Sequence, residues 1–258
     1  MNYFGTDGIR ATFGSSFLNE DFAFSLGQAL ASFMVKNQVK NKQVLIARDT
    51  RPSGEILLEA LNGGLVSKGF TGISAGIAPT PVLAFGTIEK KMAMGIMITA
   101  SHNPAQDNGF KIFSSHGLKL SDPEEEGIEK MITPDQQGTK LNTPESLCLT
   151  EPYLKHLTKY FPDDLLKGKK IVVDLANGAT KETTSKLLKT LGADVFVFNN
   201  GNGQINDNVG SEHPSMIACK VTELKADFGI AHDGDGDRVI FCNSFGEVIP
   251  GDKILGLL

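Results

Sequence analysis

Asp233, Asp235 and Asp237 alternate with Gly234 and Gly236 in the segment His232–Arg238, HDGDGDR. Glycine lets the backbone curl, so three carboxylates can converge, and like charges that close repel unless a cation neutralises them. Hard carboxylate oxygens suit magnesium, which protein carboxylates commonly hold together with a phosphate oxygen. The spacing departs from a calcium loop, because the place of that loop's closing glutamate is taken by Ser244. The plainer alternative is an acidic surface turn. The apolar runs on either side, Phe228–Ala231 and Val239–Cys242, weigh against it. Arg238 either pairs with an aspartate or reaches a phosphate.

A second segment, Ile98–Phe113, reads ITASHNPAQDNGFKIF. Ser101 follows a near-continuous apolar run, and a serine at a strand end can carry a phosphoryl group if donors and a cation surround it. His102 could donate to a phosphate or tune the serine. Lys111 supplies a mobile positive charge and, if desolvated, a proton acceptor. Gly109 permits a close backbone approach. The competing reading is a turn rich in Ser, Asn, Pro and Gly, and a Ser–His neighbour pair alone makes no triad. Two weaker segments are FGTDGIR (Phe4–Arg10), where Thr6, Asp7 and Arg10 form either a phosphate-facing loop or a structural turn, and RDTRPSG (Arg48–Gly54). The arginines of the latter form either an anion site or ion pairs with Asp49 or Glu55, and Ser53 could cap the next helix. Asn206–Gly210 with Glu212 and His213 is a further polar loop without an assigned role.

The elements that must position these segments alternate in type. Phe22, Leu26, Leu30 and Phe33 recur at three and four residues and predict a helix over Glu20–Val35, capped by Asn19. Strands are predicted at Gln43–Asp49, Phe70–Ala75, Ala93–Ala100 and Phe110–Phe113, with helices at Ser53–Val66, after the break at Pro79 and Pro81 to about Glu89, and at Asp122–Ile132. After the polar stretch Thr133–Glu145, a helix is expected at Glu151–Tyr160. Strand Lys170–Asn177, helix Lys181–Leu191, strand Asp194–Phe198, helix Pro214–Leu224 and strands Phe228–Ala231 and Val239–Cys242 follow. Strand–helix alternation of this kind marks an α/β fold: two consecutive domains of mixed, mostly parallel sheet flanked by helices, expected at residues 1–150 and 151–258. Ligands in such folds sit beyond the carboxyl ends of the strands, and both chemistry-rich loops follow short apolar strands.

Composition bounds the reading. The 258 residues carry a formal net charge of -5, with 40% hydrophobic and 21% charged residues, an ordinary globular balance. Mild acidity weighs against a nucleic-acid partner. No run of about 18 apolar residues predicts a membrane span, and the opening lacks the basic-then-apolar pattern of a signal peptide. Cys148, Cys219 and Cys242 match no zinc or redox spacing. They are expected as unpaired thiols in a cytoplasmic protein. Nothing in the sequence marks an oligomeric state.

At these residues the chain resembles the alpha-D-phosphohexomutase family. Thr99-Ala100-Ser101-His102-Asn103-Pro104 is similar to its phosphoserine loop, Asp233–Arg238 to its magnesium loop, and Phe4–Arg10 and Asp107–Lys111 also match. Within the family the chain is most similar to bacterial members that act on glucosamine phosphate, on its opening motif, Asp174–Ala179 and Asn202–Pro214. The resemblance implies that phosphorylated Ser101 donates to a phosphorylated sugar through a bisphosphorylated hexosamine or hexose. It also implies magnesium held by Ser101, Asp233, Asp235 and Asp237. Arg10, Lys111 and His102 are the implied catalytic partners, and Thr6, Asn103 and Arg238 the implied substrate contacts. Ala11 departs from the glycine usual in that subgroup. The family has four domains. The resemblance places this chain on the first two, without the later sugar-recognition and phosphate-gripping loops, so little activity is expected of the chain alone. The rival readings are the same reaction on glucose or mannose phosphate, and a non-catalytic phosphate- or metal-binding remnant. A dinucleotide-binding dehydrogenase is disfavoured, since no GxGxxG follows the first strand.

Overall fold

The computed structural model of the protein describes residues 3–14, 17–133 and 139–257, which form two compact units. One comprises Met1–Ala100 with Gln106–Leu149, the other Ser101–Ala105 with Thr150–Leu258. Residues 1–2, 15–16 and 258, and residues 134–138 of the polar stretch, lie outside the described residues.

In the first unit the order is β1 (Phe4–Gly5), β2 (Gly8–Thr12), α1 (Glu20–Lys36), β3 (Gln43–Arg48), α2 (Gly54–Ser67), β4 (Thr71–Ile77), α3 (Thr80–Glu89), β5 (Met94–Ile98), β6 (Asp107–Ser114), α4 (Asp122–Glu129) and β7 (Glu145–Ser146). The sheet runs β1-β2-β6-β5-β3-β4-β7. Its β5, β3, β4 and β7 side is parallel, and β6, β2 and β1 continue it antiparallel. The reason for the switch is local. A parallel return needs a crossover of about a dozen or more residues, and the loop from Ile98 to Asp107 is too short for one. Val44, Ile46, Ile96, Ile98, Phe110 and Ile112 form one core with Leu26, Leu30, Leu57 and Leu61 of α1 and α2. Leu45 lies toward α3, near Gly86. Strands covered on both faces read as near-continuous apolar runs, as Ala93–Ala100 does. Asn19 caps α1 by accepting from the Phe22 amide at 2.9 Å, a bond worth about 1 kcal/mol.

The second unit holds α5 (Thr150–Thr158), β8 (Lys170–Asp174), a 3-10 turn (Ala179–Glu182), α6 (Thr184–Thr190), β9 (Asp194–Phe198), α7 (Ser215–Leu224), β10 (Phe228–His232), β11 (Val239–Asn243), β12 (Val248–Ile249) and α8 (Gly251–Leu255). Its sheet runs β12-β11-β10-β8-β9, with β10, β8 and β9 parallel and β11 and β12 antiparallel. The period-two alternation of β8 splits its core. Val172 packs with Ala231 and Cys242 against Ile217 and Val221 of α7, while Ile171 and Val173 pack with Leu175 and Ile230 on the other face, toward Leu188 of α6. Both units are α/β with mixed sheets flanked by helices. No helix among the described residues is long and apolar enough to cross a membrane.

Several local expectations change. The helix expected over Lys181–Leu191 breaks at Thr183, whose hydroxyl donates to Thr180 O at 3.1 Å; threonines here favour that local bond over a continuous helix. Ser53 does not cap α2, and its Oγ accepts instead from Asn108 Nδ2 at 2.9 Å. FGTDGIR is a hairpin, in which Thr6 and Asp7 make the turn between β1 and β2. Arg48 and Arg51 form ion pairs, with Glu55 at 3.2 Å and Asp49 at 2.9 Å.

Candidate active site

In the second unit, β8 and β10 run parallel with Asp174 beside Ala231, so both strands end at one edge of the sheet. The loops after them carry the polar chemistry. Asp233 and Asp235 are buried and Asp237 is exposed, and one carboxylate oxygen from each lies within 4.8 Å of the others. Asp233 is the hub. Its Oδ2 accepts from Ser101 Oγ at 2.6 Å, and its Oδ1 from the Arg238 amide at 3.1 Å. Burial, then the neighbouring charge of Asp235, push the Asp233 carboxyl up to about 7, although the Ser101 bond pulls the other way. A site that crowds like charges out of water to this extent is one where a divalent cation relieves the repulsion. All-oxygen donors of this kind fit magnesium.

Ser101 is fully buried and sits at φ 52, in the left-handed region that costs a non-glycine residue roughly 1–3 kcal/mol. Its surroundings must therefore hold it. His102 and Asn103 follow, both half-buried, and Asn206 Nδ2 donates to the carbonyls of Ser101 at 2.7 Å and Asn103 at 3.0 Å. Asp174, buried at the end of β8, accepts from the amides of Ala176 (2.9 Å) and Gly210 (2.8 Å) and from Asn199 Nδ2 (2.9 Å), tying the loop after β8 to two points of the loop after β9. Arg238 is exposed, its guanidinium 3.7 Å from Glu212. His232 hydrogen-bonds through Nε2 with the Thr184 hydroxyl at 3.0 Å, and burial lowers its pKa.

The remaining candidates stand in the first unit. Arg10 on β2 lies opposite Gly109 on β6, and Lys111 is two residues further along β6, so both side chains leave the same face. A Cβ on Gly109 would stand 1.9 Å from Ile9 O, which explains the glycine. Both cations meet one oxygen of Asp7: Arg10 in a short hydrogen-bonded pair, Lys111 at 3.3 Å. Lys111 is buried at 4% exposure, so the mobile charge expected from sequence is a fixed one. Thr6 is exposed in the hairpin turn, and its carbonyl accepts from Lys119. Sequence reasoning passed over Asp174 as a carboxylate holding loops, and left Asn206 without a role. The available signals were an aspartate closing the apolar run KIVV and an asparagine in a glycine-rich loop.

Residues 1–139 match the family described as phosphoglucomutase/phosphomannomutase, alpha/beta/alpha domain I, and residues 151–246 match its domain II. The chain is 42% identical to a phosphoglucosamine mutase of Ligilactobacillus salivarius, covering 99% of this chain and 58% of that protein. It is 39% identical to one of Campylobacter fetus, covering 100% and 60%. It thus spans about three-fifths of the length of these curated relatives. Among solved structures, a putative phosphomannomutase from Thermus thermophilus superposes with a TM-score of 0.87 at 24% identity, over 98% of this chain and 59% of that one. A phosphoglucomutase/phosphomannomutase family protein from Burkholderia thailandensis does so with 0.83 at 29%, over 98% and 57%. The chain belongs to the alpha-D-phosphohexomutase superfamily, and its two α/β units are the first and second domains of that fold.

Proposed function

We propose that the chain is the phosphoryl-carrying part of a mutase that interconverts glucosamine 6-phosphate and glucosamine 1-phosphate, in the supply of cell-wall precursors. The observation that carries this reading is the 2.6 Å hydrogen bond from Ser101 Oγ to Asp233, within three converging carboxylates. Phosphorylated Ser101 gives its phosphoryl group to the free sugar hydroxyl. The P–O bond to Oγ breaks, a P–O bond to the sugar forms, and the hydroxyl proton passes to a base. The bisphosphorylated sugar turns over and returns its other phosphoryl group to Ser101 Oγ. Asp233, Asp235 and Asp237, with the serine phosphate, would hold magnesium, which when bound neutralises charge developing in the transfer.

Arg10, Lys111 and His102 are assigned to stabilising that charge and handling the proton, on the motifs they share with the family. Lys111 is preferred to Arg10 as the base because arginine scarcely deprotonates. Thr6, Asn103 and Arg238 are assigned to the substrate on the same ground. The similarity to phosphoglucosamine mutases favours glucosamine phosphate, and three free cysteines fit the reducing cytoplasm.

The test is incubation with magnesium and a hexose 1,6-bisphosphate, followed by mass spectrometry, and a coupled assay with glucosamine 6-phosphate and glucose 6-phosphate side by side. One phosphoryl group gained on Ser101, and none in Ser101→Ala, is the expected result. A wild-type chain that takes up no phosphoryl group defeats the carrier reading. Turnover preferring glucose 6-phosphate moves the assignment to a phosphoglucomutase.

A further inference from the structure

We infer that Asn206 is a positioning residue, whose carboxamide fixes the backbone of the serine loop and so sets where Ser101 Oγ stands against the aspartates. The inference rests on the reading of Ser101 as the phosphoryl carrier. All the groups involved lie in the second unit. Asn206 Nδ2 donates to Ser101 O at 2.7 Å and to Asn103 O at 3.0 Å, so both protons of one amide nitrogen bridge the two ends of the Ser-His-Asn turn. Asn206 itself is held from behind. Its amide donates to Ala176 O at 3.0 Å, Ile205 beside it is buried, and Asp174 ties both Ala176 and Gly210.

Residue type follows from this. Asn206 has φ 59, a region that asparagine tolerates better than most side chains. An aspartate would keep the shape but lose both donors, since an ionised carboxylate only accepts. The far side is packed equally close. A Cβ on Gly234 would stand 2.8 Å from Ser101 O and 3.0 Å from Asn206 Nδ2, so the metal loop leaves the clamp no room to shift. Ser101, strained at φ 52, is held by groups on both sides.

Asn206→Gly keeps the left-handed backbone and removes both donors; Asn206→Asp keeps the shape and turns acceptors on the two carbonyls. Amide hydrogen exchange in the unphosphorylated 258-residue chain is the first readout. Exchange in peptides covering 101–105 is expected to quicken about tenfold in Asn206→Gly, the change expected for one to two net hydrogen bonds, with peptides from β8 and β10 unchanged. The second readout is the rate of phosphoryl uptake from hexose 1,6-bisphosphate, expected to fall about 10- to 100-fold. Manganese affinity of the three aspartates should stay within about threefold, because Asn206 touches none of them. Unchanged exchange at 101–105 overturns the inference, and so does exchange quickened equally throughout the second unit. If the wild-type chain takes up no phosphoryl group, the carrier reading falls, while the exchange comparison still decides whether Asn206 holds the loop. If Asn206→Gly does not fold, Asn206→Asp carries the same comparison.

Discussion

Asp235, as a proposed metal ligand, would cost the protein stability without a cation and serve it with one. It is buried, and its charge is the second cause, after burial, of the rise in Asp233 to about 7. Two unit charges about 5 Å apart repel by about 3 kcal/mol at an effective dielectric of about 20. Replacing Asp235 with asparagine removes that repulsion and one proposed ligand together, so the two effects have opposite signs. Asp235→Asn is expected to melt higher than wild type in chelator, by an amount on the order of 1 kcal/mol. It is also expected to bind magnesium or manganese at least about tenfold more weakly. Calorimetric titration and thermal melts with and without metal measure both. Metal affinity equal to wild type would remove Asp235 from the ligand set.

Adjacent residues on one helical turn make a sharper electrostatic comparison. Glu124 and Glu125 open α4, where acidic side chains meet the positive end of the helix. Glu124 accepts from the Ser121 amide and hydroxyl at 2.8 and 2.7 Å, and these bonds hold its pKa below 4.5. Glu125 is buried, and burial raises its pKa above 4.5 despite Lys119 at 3.6 Å. By linkage, the contribution of Glu124 is present above about pH 4.5 and is lost as pH falls through its lowered pKa. That of Glu125 is present below about pH 4.5 and is lost as pH rises through its raised pKa. Urea unfolding of Glu124→Gln and Glu125→Gln from pH 3 to pH 7 is expected to diverge. Relative to wild type, Glu125→Gln gains stability as pH rises and Glu124→Gln loses it. Parallel curves would contradict both assignments.

Elements of this kind were legible where one period dominated. The α1 helix, with its Asn19 cap, and the apolar strands β3, β5, β8 and β10 stand within a few residues of their expected places. The FGTDGIR hairpin was not legible, because two short strands around a two-residue turn offer too little alternation to separate strand from loop. The break at Thr183 was hidden for a different reason: helical periodicity records which face is apolar, not where a threonine hydroxyl competes for a backbone carbonyl. In the candidate site, Ser101 and the three aspartates stand out by spacing within single loops. Asn206 does not, since its partners Ser101 and Asn103 lie more than a hundred residues away and no local pattern encodes that contact.

For the whole molecule, these residues divide between two units with separate cores. The first is built around Val44, Ile46 and Ile96, and the second around Ile171, Val172 and Val173. The three carboxylates, Ser101 and Asn206 all belong to the second unit, whereas Arg10, Lys111 and Asp7 belong to the first. A ligand stabilises what it binds by mass action, by about 2.7 kcal/mol at a hundred times its dissociation constant. Magnesium held only by carboxylates of the second unit should therefore place its stabilisation there. Hydrogen exchange with and without saturating magnesium is expected to slow in peptides covering 101–105, 170–178 and 228–243, and to stay unchanged in peptides from α1, α2, β3 and β4. Protection gained evenly across both units would mean that the cation is held elsewhere or that the units open as one. A gain confined to the first unit would rule out the aspartate site altogether. Arg10 and Lys111 of the first unit share one carboxylate, Asp7, and two cations against a single anion repel a magnesium ion rather than attract it, which is why the expected response is one-sided.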